Sequence, residues 1–170
     1  MNNTENFDLI VKLEEENTLQ YDEEMVIEKL ENEIKNLDTA YFIKETEFYN
    51  VFMVELTRND LKTALKLSKT SVQNNFEMIP IESVVLTRPE KILKQIINIS
   101  KNKIKAGETF AIRCNIRGKK YIKTKEEFIN SIYKEIEKLN GTPDEIRPNW
   151  VIHIEVVGEN TGISVLKRKI

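Results

Sequence analysis

Cysteine, glycine and proline are scarce in this sequence of 170 residues, and each shortage excludes a class of protein. The single cysteine, Cys114, cannot form an internal disulfide or build a thiolate zinc site. Five glycines and four prolines are too few for a collagen-like or linker-rich chain. No long apolar run argues for a transmembrane helix, and residues 1–5 lack the basic and apolar regions of a signal peptide. We therefore expect a soluble, cytoplasmic protein.

The motifs that carry enzyme chemistry are missing as well. The sequence contains no glycine-rich phosphate loop, no HExxH and no CxxC. The only histidine, His153, lies between two isoleucines of a predicted strand, which favours a structural role or an RNA contact over a general base. Cys114 shares a predicted strand face with Phe110 and Ile112, which indicates a buried thiol rather than a nucleophile. We expect no enzyme activity, no cofactor and no metal.

Charge is abundant but unevenly divided along the chain. The net charge of −2 combines an acidic first part with a basic second part. Residues 1–75 hold 8 basic and 16 acidic residues, whereas residues 76–170 hold 18 basic and 12 acidic residues. The densest stretch, residues 88–125, has 12 basic residues against only Glu90 and Glu108. This asymmetry indicates that the second part faces a polyanion.

The first part alternates short β-rich runs with two helical patterns. Residues 7–13 predict a strand, residues 22–37 a helix capped by Asp22, and residues 40–56 a hairpin. A second helix is predicted to open at Thr57 or Asn59, and the last strand falls within residues 76–86, where Pro80 favours a sheet edge. The order β-α-β-β-α-β is that of a ferredoxin-like domain. We predict an α+β protein with two domains, residues 1–75 and 76–170.

The second part has its own sequence of elements. Thr87 is predicted to cap a helix that carries proline in its first turn and runs to Lys105. A strand over residues 109–116, a helix over residues 124–139 and two strands from Trp150 onward complete the pattern.

Helical and strand periodicity predict where the basic residues of the second part lie. At 100° per residue, the first helix places a line of lysines opposite its isoleucines, and the strand that follows places Arg113, Asn115 and Arg117 outward. A solvated lysine face is the alternative, but few acids intersperse these cations, which favours a polyanion such as RNA. Tyr121 is the candidate for stacking on a base or, alternatively, for covering the core. The predicted RNA contacts are Arg88, Lys91, Lys94, Lys101, Lys105, Arg113, Asn115, Arg117, Lys119, Lys120 and Tyr121.

Two strands of the second part resemble those of THUMP domains. They are TFAIRCNIR, which begins at Thr109, and the pattern P-x-x-x-I-x-I-E-V, which begins at Pro148. The resemblance covers residues 76–170 and implies a THUMP-type α/β RNA-binding domain that grips tRNA. In that family a ferredoxin-like domain typically precedes the THUMP domain, as predicted here for residues 1–75.

Most THUMP proteins carry a catalytic domain, whereas this sequence ends at Ile170, just past the last predicted strand. The short length and the run IPIES, residues 79–83, resemble the stand-alone adaptor class that is required for acetylcytidine formation in tRNA. The resemblance therefore implies a non-catalytic adaptor that presents tRNA to a separate RNA cytidine acetyltransferase. We expect no membrane and no DNA partner.

Two other hypotheses stay open on the sequence. The chain could be a detached RNA-binding subunit of a different tRNA-modifying enzyme, since the partner is not written in its residues. Alternatively, it could be a ferredoxin-like regulatory protein whose basic face binds a phosphorylated metabolite. Competition between tRNA and a small phosphate ligand separates this last hypothesis from the first two.

Overall fold

A computed structural model describes residues 4–13, 23–35, 40–57, 61–70 and 76–168. The chain divides into two compact units, one of residues 6–81 and one that begins at Glu82 and includes Thr4 and Glu5. The described residues form two β-sheets and four helices, which confirms the predicted α+β class.

The first unit has the predicted order of elements. These are β1 (Leu9–Leu13), α1 (Glu23–Lys35), β2 (Tyr41–Glu45), β3 (Val51–Leu56), α2 (Leu61–Thr70) and β4 (Phe76–Pro80). The sheet order is β2-β3-β1-β4, and every pair is antiparallel, which confirms a ferredoxin-like topology. Leu30 and Ile34 of α1 and Leu67 of α2 are fully buried in the core of this unit. The predicted helix ends at Asp22, Leu37 and Asn59 lie outside the described residues.

The single β-rich run predicted over residues 76–86 is two strands in two different sheets. β4 pairs with β1 in the first sheet, and Pro80 lies on an edge strand as predicted. β5 (Ser83–Leu86) pairs with the last strand of the chain in the second sheet. The division between the units therefore falls after Ile81, whereas the sequence places the domain boundary between residues 75 and 76.

The second unit is a five-stranded sheet with two helices. After β5 come α3 (Pro89–Ser100), β6 (Thr109–Arg117), α4 (Lys125–Lys138), β7 (Thr142–Pro143), β8 (Trp150–Val157) and β9 (Asn160–Lys167). The sheet order is β5-β9-β8-β6-β7, with β6 parallel to β8 and to β7 and the other pairs antiparallel. Ile92 and Ile96 of α3 and Ile132 and Ile136 of α4 are buried with Phe110 in one core.

The first helix of this unit differs from the prediction at both ends. Arg88 rather than Thr87 occupies the N-cap position, and it makes no side-chain cap hydrogen bond. The Thr87 hydroxyl does not cap the helix, because it is buried against that of Thr161 at 2.8 Å. The helix ends at Ser100 rather than Lys105. Beyond it, Lys103 Nζ donates to both oxygens of Glu82 and to the carbonyl oxygen of Val165, each at 2.7 Å. These bonds fix the segment after the helix against β9.

Candidate nucleic-acid interface

The parallel pairing of β6 and β8 brings basic residues to one end of the second sheet. Both strands finish at this end, β5 also finishes here, and β9 begins here. We call it the carboxyl end and define it by Arg88, residues 118–121 and residues 158–159. The Gly158 N–H donates to the Arg117 carbonyl at 2.9 Å, and the Thr87 N–H donates to the Glu159 carbonyl at 2.8 Å. Hydrogen bonds therefore fix the backbone of these turns relative to one another.

Tyr121 lies at the centre of the carboxyl end. The Arg88 guanidinium lies over its ring, 4.0 Å from the ring centroid, and Lys120 Nζ lies 5.2 Å from the same centroid. The Tyr121 hydroxyl donates to Glu159 Oε1 at 2.8 Å, and Lys120 Nζ lies 4.0 Å from that oxygen. Lys119 and Lys120 are exposed. One face of the predicted stacking residue is thus occupied by Arg88, and a carboxylate lies among the cations.

Asn115 and Arg117 are predicted to point outward, and in the structure both side chains are paired with Glu155. Asn115 Nδ2 donates to Glu155 Oε1 at 2.9 Å, and Arg117 Nη1 donates to Glu155 Oε2 at 2.8 Å. The Glu155 side chain is 1% exposed and that of Arg117 is 13% exposed. A buried acid on β8, directly opposite Asn115 in the sheet register, therefore pairs with both side chains on this face of the sheet.

Arg113 is exposed but is also paired with an acid. Its Nη1 donates to Glu145 Oε2 at 2.8 Å, and its Nη2 donates to the Glu145 carbonyl oxygen at 3.2 Å. The Tyr133 hydroxyl donates to the other carboxylate oxygen of Glu145. The guanidinium therefore fixes the loop that precedes β8 as well as offering a charge to solvent.

The four predicted lysines do not form one helical face. Lys91 and Lys94 are exposed on α3, Lys101 is the C-cap residue, and Lys105 lies beyond the helix in an exposed turn. Because the helix ends early, the spacing argument holds only for the first two. None of the four has an ion-pair partner within the described part of the chain.

Sequence reasoning missed three exposed cations at the opposite end of the second sheet, Arg147, Lys167 and Arg168. They lie outside the dense stretch of residues 88–125, and Arg147 is 20 positions away from the adjacent pair Lys167 and Arg168. Their positions relative to the predicted strands could have identified them. Arg147 comes shortly before one predicted strand, and Lys167 and Arg168 follow the next.

The described residues contain no group of three or more histidine, cysteine or acidic side chains that could hold a metal ion. Likewise, none of the helices in the described ranges is long and apolar enough to cross a membrane.

Cys114 is buried in the core of the second unit, as the strand pattern predicts. Burial raises the pKa of its thiol from 9.0 to about 11. We expect iodoacetamide to alkylate Cys114 slowly at about pH 8.5 in the folded protein and rapidly in guanidinium, because only the thiolate reacts. The measurement is the mass of the protein against time. Rapid alkylation of the folded protein would contradict the burial.

The same pKa shift predicts a loss of stability in alkali. The unfolded chain releases the thiol proton near pH 9.0, whereas the folded chain retains it until about pH 11. The folded state thus binds more protons than the unfolded chain in this window. The contribution of the Cys114 thiol to the free energy of unfolding therefore falls as the pH rises. Cys114→Ala removes this dependence, and urea titrations of both proteins across the window measure it.

The described residues combine a ferredoxin-like unit with a second α/β unit that has basic residues at one end of its sheet. Residues 87–166 match the THUMP domain family. The chain therefore contains a THUMP domain, which comprises most of the second unit.

Solved structures share the fold of nearly the whole chain. PH1313 from Pyrococcus horikoshii Ot3 aligns with a TM-score of 0.72 and 18% identity over 96% of this chain and 55% of its own. A 4-thiouridine synthetase, solved as an RNA complex with bound ATP, aligns with a TM-score of 0.60 and 18% identity over 96% and 42%. TrmN from Thermus thermophilus aligns with a TM-score of 0.57 and 14% identity over 96% and 46%. The chain spans about half the length of these proteins, and these likenesses show the fold. No curated protein sequence matches it.

Proposed function

We propose that this chain is a non-catalytic, cytoplasmic adaptor that binds tRNA and presents it to a separate modification enzyme, an RNA cytidine acetyltransferase. It binds RNA through the basic residues of its THUMP domain and leaves the chemistry to the partner. It uses no cofactor.

The observation that carries the proposal is the carboxyl end of the second sheet within a THUMP domain. Lys119 and Lys120 are exposed there, beside an aromatic ring that Arg88 stacks on. Lysine and arginine neutralise phosphates, and a scaffold with few free aromatic rings favours recognition of RNA shape and backbone over base sequence. A structural neighbour solved in complex with RNA supports the same class of ligand.

Equilibrium binding of the purified chain to labelled tRNA across a salt series tests the first half of the proposal. We expect the logarithm of the association constant to fall steeply with the logarithm of salt concentration, by about 0.7–0.9 for each phosphate contact. Binding to tRNA should exceed binding to an unstructured RNA of equal length. Weak, salt-independent binding to both would contradict RNA binding.

The second half is tested by reconstitution. The chain is added to a purified RNA cytidine acetyltransferase and tRNA, and acetylcytidine is measured by mass spectrometry of digested RNA. Stimulation by the chain supports the adaptor role. Tight tRNA binding without stimulation favours the subunit of a different tRNA-modifying enzyme. Displacement of bound tRNA by a small phosphorylated metabolite at low concentration would favour the regulatory hypothesis instead.

A further inference from the structure

A second group of cations lies at the opposite end of the sheet of the THUMP domain. We call it the amino end, because β6 and β8 begin there, at Thr109 and Trp150. Four exposed basic residues define it: Lys105, Arg147, Lys167 and Arg168. Of these, sequence reasoning identified only Lys105.

Several contacts show that these four residues lie close together. Trp150 and Lys167 are partners in the β8–β9 register, and Lys167 Nζ lies 5.8 Å from the centroid of the indole ring. The Arg168 N–H donates to the Asn149 carbonyl oxygen at 3.0 Å. The charges of Lys105 and Lys167 both act on Glu108, and those of Arg147 and Arg168 both act on Asp144.

Two of the acids at this end, Glu108 and Asp144, are bound by backbone donors rather than by the four cations, and the third, Glu145, is bound by Arg113. Glu108 Oε1 accepts the Lys105 N–H at 2.8 Å, and Asp144 Oδ1 accepts the N–H groups of Ile146 and Arg147 at 3.0 Å. These backbone hydrogen bonds are the main reason why the pKa of each carboxyl lies below its usual value. Within the described residues, none of the four cations forms an ion pair. At the carboxyl end, by contrast, Lys120 faces Glu159.

The loop that carries Arg147 is fixed to the sheet. The Thr109 N–H donates to Asn149 Oδ1 at 2.7 Å, and the Asn149 N–H donates to Thr109 Oγ1 at 2.8 Å. The Asp144 N–H donates to the Phe110 carbonyl at 2.9 Å, and Arg113 binds Glu145 as described above. A loop held in this way presents its cation with little loss of backbone entropy on binding.

We propose that the amino end is a second phosphate-binding surface, which holds one stretch of an RNA backbone while the carboxyl end holds another. This inference rests on the proposed function and extends it to residues outside the predicted site. β8 spans eight residues, so at about 3.3 Å per residue the two ends lie about 23 Å apart. A folded RNA offers phosphates at that separation, whereas a free phosphate or a dinucleotide does not.

The composition of the amino end favours RNA over a protein partner. Ile146, which is 84% exposed, is the large exposed hydrophobic residue of this surface in the described part of the chain. One isolated apolar side chain is ordinary on a protein surface, whereas the core of a protein–protein interface is depleted of charge. Unpaired guanidinium and ammonium groups suit phosphate oxygens.

The test compares two triple variants of the full chain in tRNA binding across a salt series. The first removes three charges of the amino end, with Arg147→Gln, Lys167→Gln and Arg168→Gln. The matched control removes three exposed charges of α2, with Lys62→Gln, Lys66→Gln and Lys69→Gln. We expect the first variant to bind at least about tenfold more weakly and its salt slope to fall by about 2, and the control to stay within about twofold. Thermal unfolding of the two triple variants checks that both are folded.

The outcomes separate this inference from the proposed function. Equal losses in both variants, or no loss in the first, would overturn the second surface while tRNA binding by the native chain stands. Unchanged tRNA affinity with lost stimulation of the acetyltransferase would make the amino end a protein-binding surface and would also overturn the inference. If the native chain itself does not bind tRNA, the proposed function fails and the inference with it. A dinucleotide is too short to reach both ends of the sheet. Its affinity for the first triple variant should therefore fall by no more than the loss of one phosphate contact.

Discussion

Replacement of Glu155 by alanine is expected to lower the free energy of unfolding by about 3 kcal/mol or more. The Glu155 carboxylate is 1% exposed and accepts hydrogen bonds from Asn115 Nδ2 and Arg117 Nη1. Its removal leaves the guanidinium of Arg117, itself 13% exposed, without its acid, and leaves the Asn115 amide without its acceptor. Breaking a buried pair from one side is costly because the remaining charge stays desolvated.

A second glutamate paired with an arginine of the same strand supplies the matched control. Glu145 binds Arg113 at the same distance, 2.8 Å, but its side chain is 57% exposed. Water and salt screen that pair, so Glu145→Ala should cost at most about 1 kcal/mol. Urea unfolding followed by circular dichroism measures both variants. Equal losses would show that burial does not set the energy of the Glu155 pair.

The same pairing changes what is expected of Arg117 in RNA binding. Because Glu155 holds the guanidinium inward, Arg117→Ala should act on stability more than on tRNA affinity. The double variant Arg117→Leu/Glu155→Leu should recover much of the stability lost in either single variant, since two apolar side chains replace a buried ion pair. A double variant as unstable as the sum of the two singles would contradict this.

The first unit was predictable from sequence because local patterns determine it. Alternating strands, a hairpin and two helical stripes give the β-α-β-β-α-β order, and the structure confirms its sheet topology. The split between β4 and β5 was not predictable from these patterns. Residues 76–86 are continuously β-rich, and their assignment to two sheets depends on which distant strands pair with them.

The candidate site was only partly predictable, for a related reason. Exposure of Lys91, Lys94, Lys119 and Lys120 follows from local spacing and turn residues. The pairing of Asn115 and Arg117 with one acid, Glu155, depends instead on the register between β6 and β8, which joins residues 38 to 40 positions apart. The cations of the amino end are brought together by the same long-range pairing. Charge density along the sequence therefore located the cations of the carboxyl end but not Arg147, Lys167 and Arg168 of the amino end.

Charge reversal at the carboxyl end is expected to have the largest effect on RNA binding. Lys119→Glu together with Lys120→Glu replaces two exposed cations by acids beside Glu159, and we expect tRNA binding to weaken by about 100-fold at low salt. Each change both removes an attraction and adds a repulsion to phosphate. Increasing salt should reduce the difference from the native chain, because counterions screen both effects.

Glu159 provides a variant of opposite sign at the same place. Its carboxylate accepts from the Tyr121 hydroxyl and lies 4.0 Å from Lys120 Nζ, so it competes with phosphate for these groups. Glu159→Gln keeps a hydrogen-bond acceptor and removes the charge, and we expect about threefold tighter tRNA binding. The control for the reversal of Lys119 and Lys120 is Lys62→Glu/Lys66→Glu. It makes the same change of charge on α2 and should have a much smaller effect on tRNA binding. If the control weakens binding as much as the reversal of Lys119 and Lys120, net charge rather than the carboxyl end governs affinity. If Glu159→Gln weakens binding, the carboxylate positions Tyr121 and Lys120 instead of competing for them.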